Sequence, residues 1–190
     1  MANIHRTGGQ GTGIGHMLPR QRSLHQKGYA MIGDKKVMQS LQSQLKIELT
    51  AINQYFVHYR MLEHWGFSEL GKKEYKASIH AMKYTDRLME RVFILDGLPN
   101  LQDLGKLRIG ETVEELLECD LALEYESQKN LRDGIIACEE VLDYVSRDTL
   151  RRLLDETEER IDYLDTQLAL IQKIGPENYM QSQLGEAEAH

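Results

Sequence analysis

Proline is scarce in this 190-residue sequence, with three in all, and aromatic residues make up only 7% of it. Few helix breakers and few of the bulky residues that fill sheets argue against a turn-rich β-sandwich or barrel and for long helices. Cysteine is nearly absent: Cys119 and Cys138 stand in no metal-ligand spacing, which excludes a disulfide scaffold and a structural zinc site. Both fall in helical stretches, where a small buried thiol is expected, and a reducing, cytoplasmic setting follows. No apolar run approaches the roughly 18 residues that span a bilayer, so no membrane role is expected. A basic surface is missing as well. The formal charge is −7, which argues against nucleic acid, whose phosphates need a cationic face, and favours attraction of cations.

That charge is unevenly spread. Residues 1–30 contain Arg6, Arg20, Arg22 and Lys27, no acid and six glycines. The rest of the chain is therefore −7 less this +4, a net −11. The leader has no apolar periodicity and no hydrophobic secretion core, so it reads as a disordered basic extension. The folded part is expected over residues 31–184, with a flexible tail at 185–190.

From Asp34 the hydrophobic pattern turns helical. Asp34 is a credible N-cap, and Leu41, Leu45, Glu48, Ile52, Tyr55 and Tyr59 recur at three- and four-residue steps until Gly66, which predicts a first helix. A second stripe runs from Ser68 through Leu70, Ala77, Ala81, Tyr84, Leu88, Val92 and Leu95 and stops at Asp96-Gly97-Leu98-Pro99-Asn100. Residues 96–111 are too long for an ordinary bundle turn, so this segment is expected to cross the length of the domain. Thr112-Val113-Glu114-Glu115 has the form of a capping box and opens a third helix, with Leu117, Leu121, Glu124, Gln128, Leu131 and Ile135 as its stripe. A fourth, beginning near Asp143, carries Leu150, Leu153, Thr157, Arg160, Leu164, Leu168 and Ile171, and Gly175-Pro176 opens a short fifth helix. The expectation is an all-α, ferritin-like four-helix bundle with a long central crossover and a short fifth C-terminal helix, although periodicity alone leaves other bundles open.

Three strings narrow this further: Glu48-Leu49-Thr50-Ala51-Ile52-Asn53-Gln54-Tyr55-Phe56, Gly97-Leu98-Pro99-Asn100-Leu101-Gln102-Asp103-Leu104-Gly105-Lys106, and Asp143-Tyr144-Val145-Ser146-Arg147-Asp148. With most of the chain from Met31 to Leu184, they resemble bacterioferritin. That resemblance implies a shell of twenty-four subunits storing ferric mineral, with haem b held between pairs of subunits and a di-iron ferroxidase site inside each bundle.

A di-iron site of this class takes one Glu from each of two helices and a Glu-x-x-His pair from each of the other two, because two irons need hard carboxylate oxygens to bridge and balance their charge. The single positions are present as Glu48 and Glu124, each within an apolar stripe where an unpartnered carboxylate is costly. The paired positions are not: Ala81 and Tyr84 stand in one helix, Thr157 and Arg160 in the other, and no Glu-x-x-His occurs anywhere in the chain. Arg160 is expected to turn inward and pair with Glu48 and Glu124 in place of iron. The alternative is that it turns outward and leaves those acids to bind a cation. Tyr84 adds a hydroxyl donor or fills core volume. Asp86, Glu158 and Glu159 lie near the lost positions but off the core stripe.

A second face of the second helix carries Tyr75, Ile79 and Met82, matched on the first by Leu49, Ile52, Asn53 and Phe56. An extra apolar face on adjacent helices calls for a partner outside the bundle. The resemblance implies that Met82 is a haem axial ligand given once by each of two subunits, with Leu49, Ile52, Asn53, Phe56, Tyr75, Ile79, Lys83 and Leu101 lining the pocket. The leading expectation is an iron-storage, haem-binding subunit without its own di-iron centre. It would form a homo-oligomer or a mixed 24-mer with a ferroxidase-competent sister, with a ferredoxin as possible electron donor. The competing expectations are a conventional ferroxidase turning Fe(II) into Fe(III) and, more weakly, a cage scaffold.

Overall fold

The computed structural model describes residues 33–184. The leader at 1–30 and the tail at 185–190 lie outside the described residues. Four long helices, α1 (Lys35–Trp65), α2 (Ser68–Ile94), α3 (Val113–Glu140) and α4 (Tyr144–Ile174), precede a short α5 (Pro176–Ser182), and the described residues contain no strand.

Local chemistry sets the helix ends where the sequence placed them. The Asp34 carboxylate accepts from the backbone N–H of Lys36 and Val37, two donors that the first turn leaves without a partner. Gly66 closes α1 at φ 88°, a left-handed conformation that glycine adopts without strain. Thr112 caps α3 by accepting from Glu115 N–H. The return bond differs from a standard capping box: the Glu115 carboxylate takes the N–H of Glu111 instead of that of Thr112. Gly110 permits this tight entry, since a Cβ there would lie 2.3 Å from the Leu116 nitrogen.

Side-chain pairs fix the directions of the helices. Gln44 meets Ser127 and His58 meets Asp120, so α1 and α3 run antiparallel. Tyr84 meets Glu156 and Glu74 meets Arg160, so α2 and α4 do too. Both α2 and α3 therefore run against α1, and residues 95–112 must travel the bundle's length to join them. They do so along α1, one helical turn at a time. Gln42 donates to Leu98 O and accepts from Asn100 N–H, and Lys46 pairs with Asp103. Further along, Thr50 Oγ1 accepts from Gly105 N–H and Gln54 Oε1 from Arg108 N–H. A helix that offers a polar side chain every fourth residue satisfies backbone groups that a structureless crossover would leave bare.

The apolar core has two ends and a thinner middle. Val37, Leu41, Leu88, Val92, Leu131 and Leu150 pack at the end where α1 begins, and Leu62, Leu70, Leu116, Leu117, Leu164 and Tyr179 at the other. Tyr179 belongs to α5, is 1% exposed and donates to Gln167, which ties the last helix down. In α3 the interior line is Leu117, Asp120, Leu123, Glu124, Ser127, Leu131 and Gly134, while Leu121, Gln128 and Ile135 of the expected stripe are only half-buried. The connection between α3 and α4 is held by Asp143. Its carboxylate accepts from Ser146 N–H and Oγ–H and from Arg91, at 3.0, 2.6 and 2.7 Å. Asp143→Ala removes a helix cap and strands the nearly buried Arg91. It is expected to cost about 2–4 kcal/mol, seen as a lower chemical-denaturation midpoint, with Asp143→Asn losing clearly less.

Candidate functional site

Between the two apolar ends the bundle's interior is polar. On α1, Gln44, Glu48, Gln54, Tyr55 and His58 are buried; they face Glu74 on α2, Asp120, Glu124 and Ser127 on α3, and Thr157 and Arg160 on α4. A carboxylate cannot lose its water without donors or a cation in return, so the partners of each acid decide what the site can do.

Glu124 accepts from the Tyr55 hydroxyl and lies 3.1 Å from Arg160 Nε, a charge contact whose N–H is not aimed at the oxygen. The guanidinium stands over the Tyr55 ring, 4.3 Å from its centre, a stacking that favours a desolvated cation. Its other end donates to Glu74 at 2.7 Å and lies 3.9 Å from Asp120. Burial opposes the Arg160 charge, but Glu74, Tyr55, Glu124 and Asp120 together hold it more firmly protonated than usual. The inward orientation expected of Arg160 is thus present, with a correction to its partners. It pairs with Glu124, Glu74 and Asp120 and not with Glu48, because α4 crosses the bundle opposite Glu74 rather than opposite the first half of α1.

Glu48 is held differently. Gln44 donates to it at 2.8 Å, and Gln44 is itself fixed by Ser127 and Asn130. Burial, followed by the charge of Glu124, pushes the Glu48 carboxyl up to about 8. It opens onto a cavity of about 50 Å³ lined also by Ala81, Tyr84, Glu124, Thr157, His80 and Glu156, large enough for water. Tyr84 donates to Glu156 at 2.6 Å, and His80 lies 3.2 Å from the same carboxylate. Glu156, one residue before Thr157, is the acid that reaches this edge. Asp86, Glu158 and Glu159 are exposed, and Glu158 is engaged by Arg132.

Beside Glu48 and Glu124 the four positions that would complete a di-iron donor set are a methyl at Ala81, a phenol at Tyr84, a neutral hydroxyl at Thr157 and a cation at Arg160. Among the described residues no group of three or more His, Cys, Asp or Glu side chains could hold a metal ion.

The second face of α1 and α2 is exposed and apolar. Met82, Tyr75 and Phe56 are 41%, 44% and 46% exposed, and Leu101 on the crossover 51%. The Phe56, Tyr59 and Tyr75 rings pack in sequence, joining the faces of the two helices. Leu49, Ile52 and Ile79 are half-buried, and Asn53 and Lys83 are exposed. Asn53 donates to Leu49 O and so is turned back on its own helix. The Met82 thioether is thus set among large uncovered apolar side chains.

Glu74, Asp120, His58, Gln44, Gln54 and Glu156 were not anticipated from sequence. The signal was there for most of them: Glu74 falls four residues after Leu70 and Asp120 four before Glu124, in the register of the buried stripes.

Against known proteins, a ferritin-like domain model matches residues 38–174. The chain is 47% identical over 149 residues to a bacterioferritin of Mycobacterium leprae, covering 78% of this chain and 94% of that one. It is 42% identical over 158 residues to a bacterioferritin of Brucella melitensis, covering 83% and 98%. To a bacterioferritin of Rhodobacter capsulatus it is 43% identical over 149 residues, covering 78% and 92%.

Replacing Arg160 by Met leaves Glu74 and Glu124 buried without their cation and is expected to cost about 3–5 kcal/mol, measured by chemical denaturation. Glu48→Gln has the opposite sign. The raised Glu48 carboxyl contributes stability below the ordinary glutamate range that is lost as pH rises through about 8. The amide should therefore make the protein more stable than wild type at alkaline pH by about 1–3 kcal/mol.

Proposed function

The chain belongs to the bacterioferritin family of iron-storage proteins, and from that premise we propose that it is a haem-binding storage subunit with no di-iron oxidation centre of its own. The observation that supports the second half is Arg160. A guanidinium lying 3.1 Å from Glu124 and 2.7 Å from Glu74 gives these buried acids a fixed positive charge, so a ferrous ion approaching Glu124 would meet a like charge at short range. The first half is supported by the exposed Met82 face.

Under this reading Met82 holds haem b by its thioether, together with the same residue of a second copy across a twofold axis. Leu49, Ile52, Phe56, Tyr75, Ile79 and Leu101 exclude water from it, while Asn53 and Lys83 stand at the polar edge. Soft sulfur ligation favours the ferrous haem and so suits the passage of electrons to stored iron. Such a subunit stores mineral in a 24-subunit shell and depends on a ferroxidase-competent sister in the same shell for rapid iron oxidation. A ferredoxin is the proposed electron donor. The two free thiols accord with the reducing cytoplasm, and none of the described helices is long and apolar enough to cross a membrane. The conventional-ferroxidase reading keeps one point in its favour: Glu48, Glu124, Glu156 and His80 line one cavity.

Ferrous oxidation by the pure homo-oligomer separates the two readings. Only slow background oxidation is expected, and fast turnover lost in Glu48→Ala would overturn the proposal. Joint replacement Ala81→Glu, Tyr84→His, Thr157→Glu and Arg160→His should create turnover that neither helix's pair creates alone. For the haem, Met82→Leu conserves volume and apolarity, a change that costs less than about 1.5 kcal/mol in a core. That variant should assemble normally yet lack the sharp low-spin haem spectrum, whereas Met38→Leu or Met89→Leu keeps it. A bis-thioether spectrum retained by the Met82 variant would sink the assignment.

A further inference from the structure

Two acids in the middle of the bundle are wholly buried and belong to neither the di-iron positions nor the haem face: Glu74 on α2 and Asp120 on α3. Groups from every helix face them. Tyr55, His58 and Gln54 come from α1, Glu124 from α3, Arg160 and Tyr163 from α4, and Tyr179 from α5. Three carboxyls, Glu74, Asp120 and Glu124, thus surround a single guanidinium.

Each acid of the pair is half satisfied. Glu74 Oε2 accepts from Arg160 at 2.7 Å. Asp120 Oδ1 faces His58 Nδ1 and accepts from Gln54 Nε2, both at 2.9 Å. The remaining oxygens, Glu74 Oε1 and Asp120 Oδ2, are buried with no donor. Both side chains approach the same Arg160 nitrogen, at 2.7 and 3.9 Å, which makes the two carboxyls neighbours. Two neighbouring buried carboxylates that share one guanidinium are an arrangement a protein interior tolerates poorly. One proton placed between them gives each orphan a partner and lowers the excess of negative charge from two to one.

We propose that Glu74 and Asp120 form a proton-binding site, a carboxyl–carboxylate hydrogen bond that works with Arg160 to balance the charge buried in the bundle. Burial above all, and Asp120 after it, pushes the Glu74 carboxyl up, and Arg160 offsets them only in part. The site is independent of haem and of any ferroxidase activity, so the spectra and oxidation kinetics above can fail without touching it.

The test uses assembled full-length protein in a Glu48→Gln background, which removes one of the two other raised carboxyls; Glu124, also pushed up by burial, is common to both proteins compared, so the difference made by Glu74→Gln reports on the pair. Glu74→Gln supplies an amide N–H to Asp120 and cannot ionise. The bound proton is retained by the folded state where the unfolded chain has released it, so stability falls as pH rises from the ordinary glutamate range through neutrality. Across that window the background protein should lose several degrees of unfolding midpoint, and the Glu74→Gln protein little of that loss. By infrared spectroscopy the background protein should show a protonated-carboxyl band at neutral pH that vanishes at alkaline pH and is missing after Glu74→Gln. If Glu74→Gln does not assemble, Asp120→Asn in the same background takes its place and should lose the same band. Absence of the band at neutral pH overturns the proposal. So does a Glu74→Gln protein that keeps both the band and the pH slope.

Discussion

Buried negative charge in the centre of the bundle is the constraint to which the rest of the structure answers. Glu48, Glu74, Asp120 and Glu124 are nearly or wholly removed from water, and each needs compensation at short range. Arg160 supplies most of it, reaching across from α4 to three of the four acids while resting on the Tyr55 ring. Lysine at this position would be a point charge without the planar fork and the stacking surface, and would serve fewer of these partners at once. Glu48, out of Arg160's reach, is pushed up by burial and by the charge of Glu124, which the neutral amide of Gln44 offsets only in part.

The polar centre also explains where the apolar core lies. Leucine-rich packing is confined to the two ends of the bundle, and the middle keeps only a thin layer of Ile47, Ala51, Tyr55, Ala81 and Leu123. Side-chain amides and carboxyls that would be liabilities in a uniform core are made consistent by bonding across helices: Gln44 to Ser127, Gln54 to Asp120, Arg91 to Ser146. These bonds are directional, so they also fix which helix lies opposite which and at what register. The crossover along α1 uses the outer polar side chains of the same helix in the same way.

The outer face of α1 and α2 follows a different logic. Interior positions of these helices are buried within the chain, whereas Met82, Tyr75 and Phe56 stay largely exposed. One sulfur per chain is half of a thioether pair, which ties the proposed haem to association of two copies.

The helices, their caps at Asp34, Thr112 and Asp143, the crossover and the family resemblance were all legible in the sequence, because they depend on local periodicity and on end signals that lie within a few residues of each other. That no Glu-x-x-His pair occurs in the chain is a matter of residue identity, read directly from the sequence. What Arg160 would do was only half legible. Its inward turn followed from the stripe, but its partners depend on where α2 and α3 stand opposite α4, and Glu74 is 86 residues away in sequence. The same holds for the pairing of Glu74 with Asp120 and for the reach of Glu156 to Tyr84. Helical spacing says which side of a helix a side chain occupies. Only the packed bundle decides which buried charges face each other, since that is set by register between helices that no local pattern encodes.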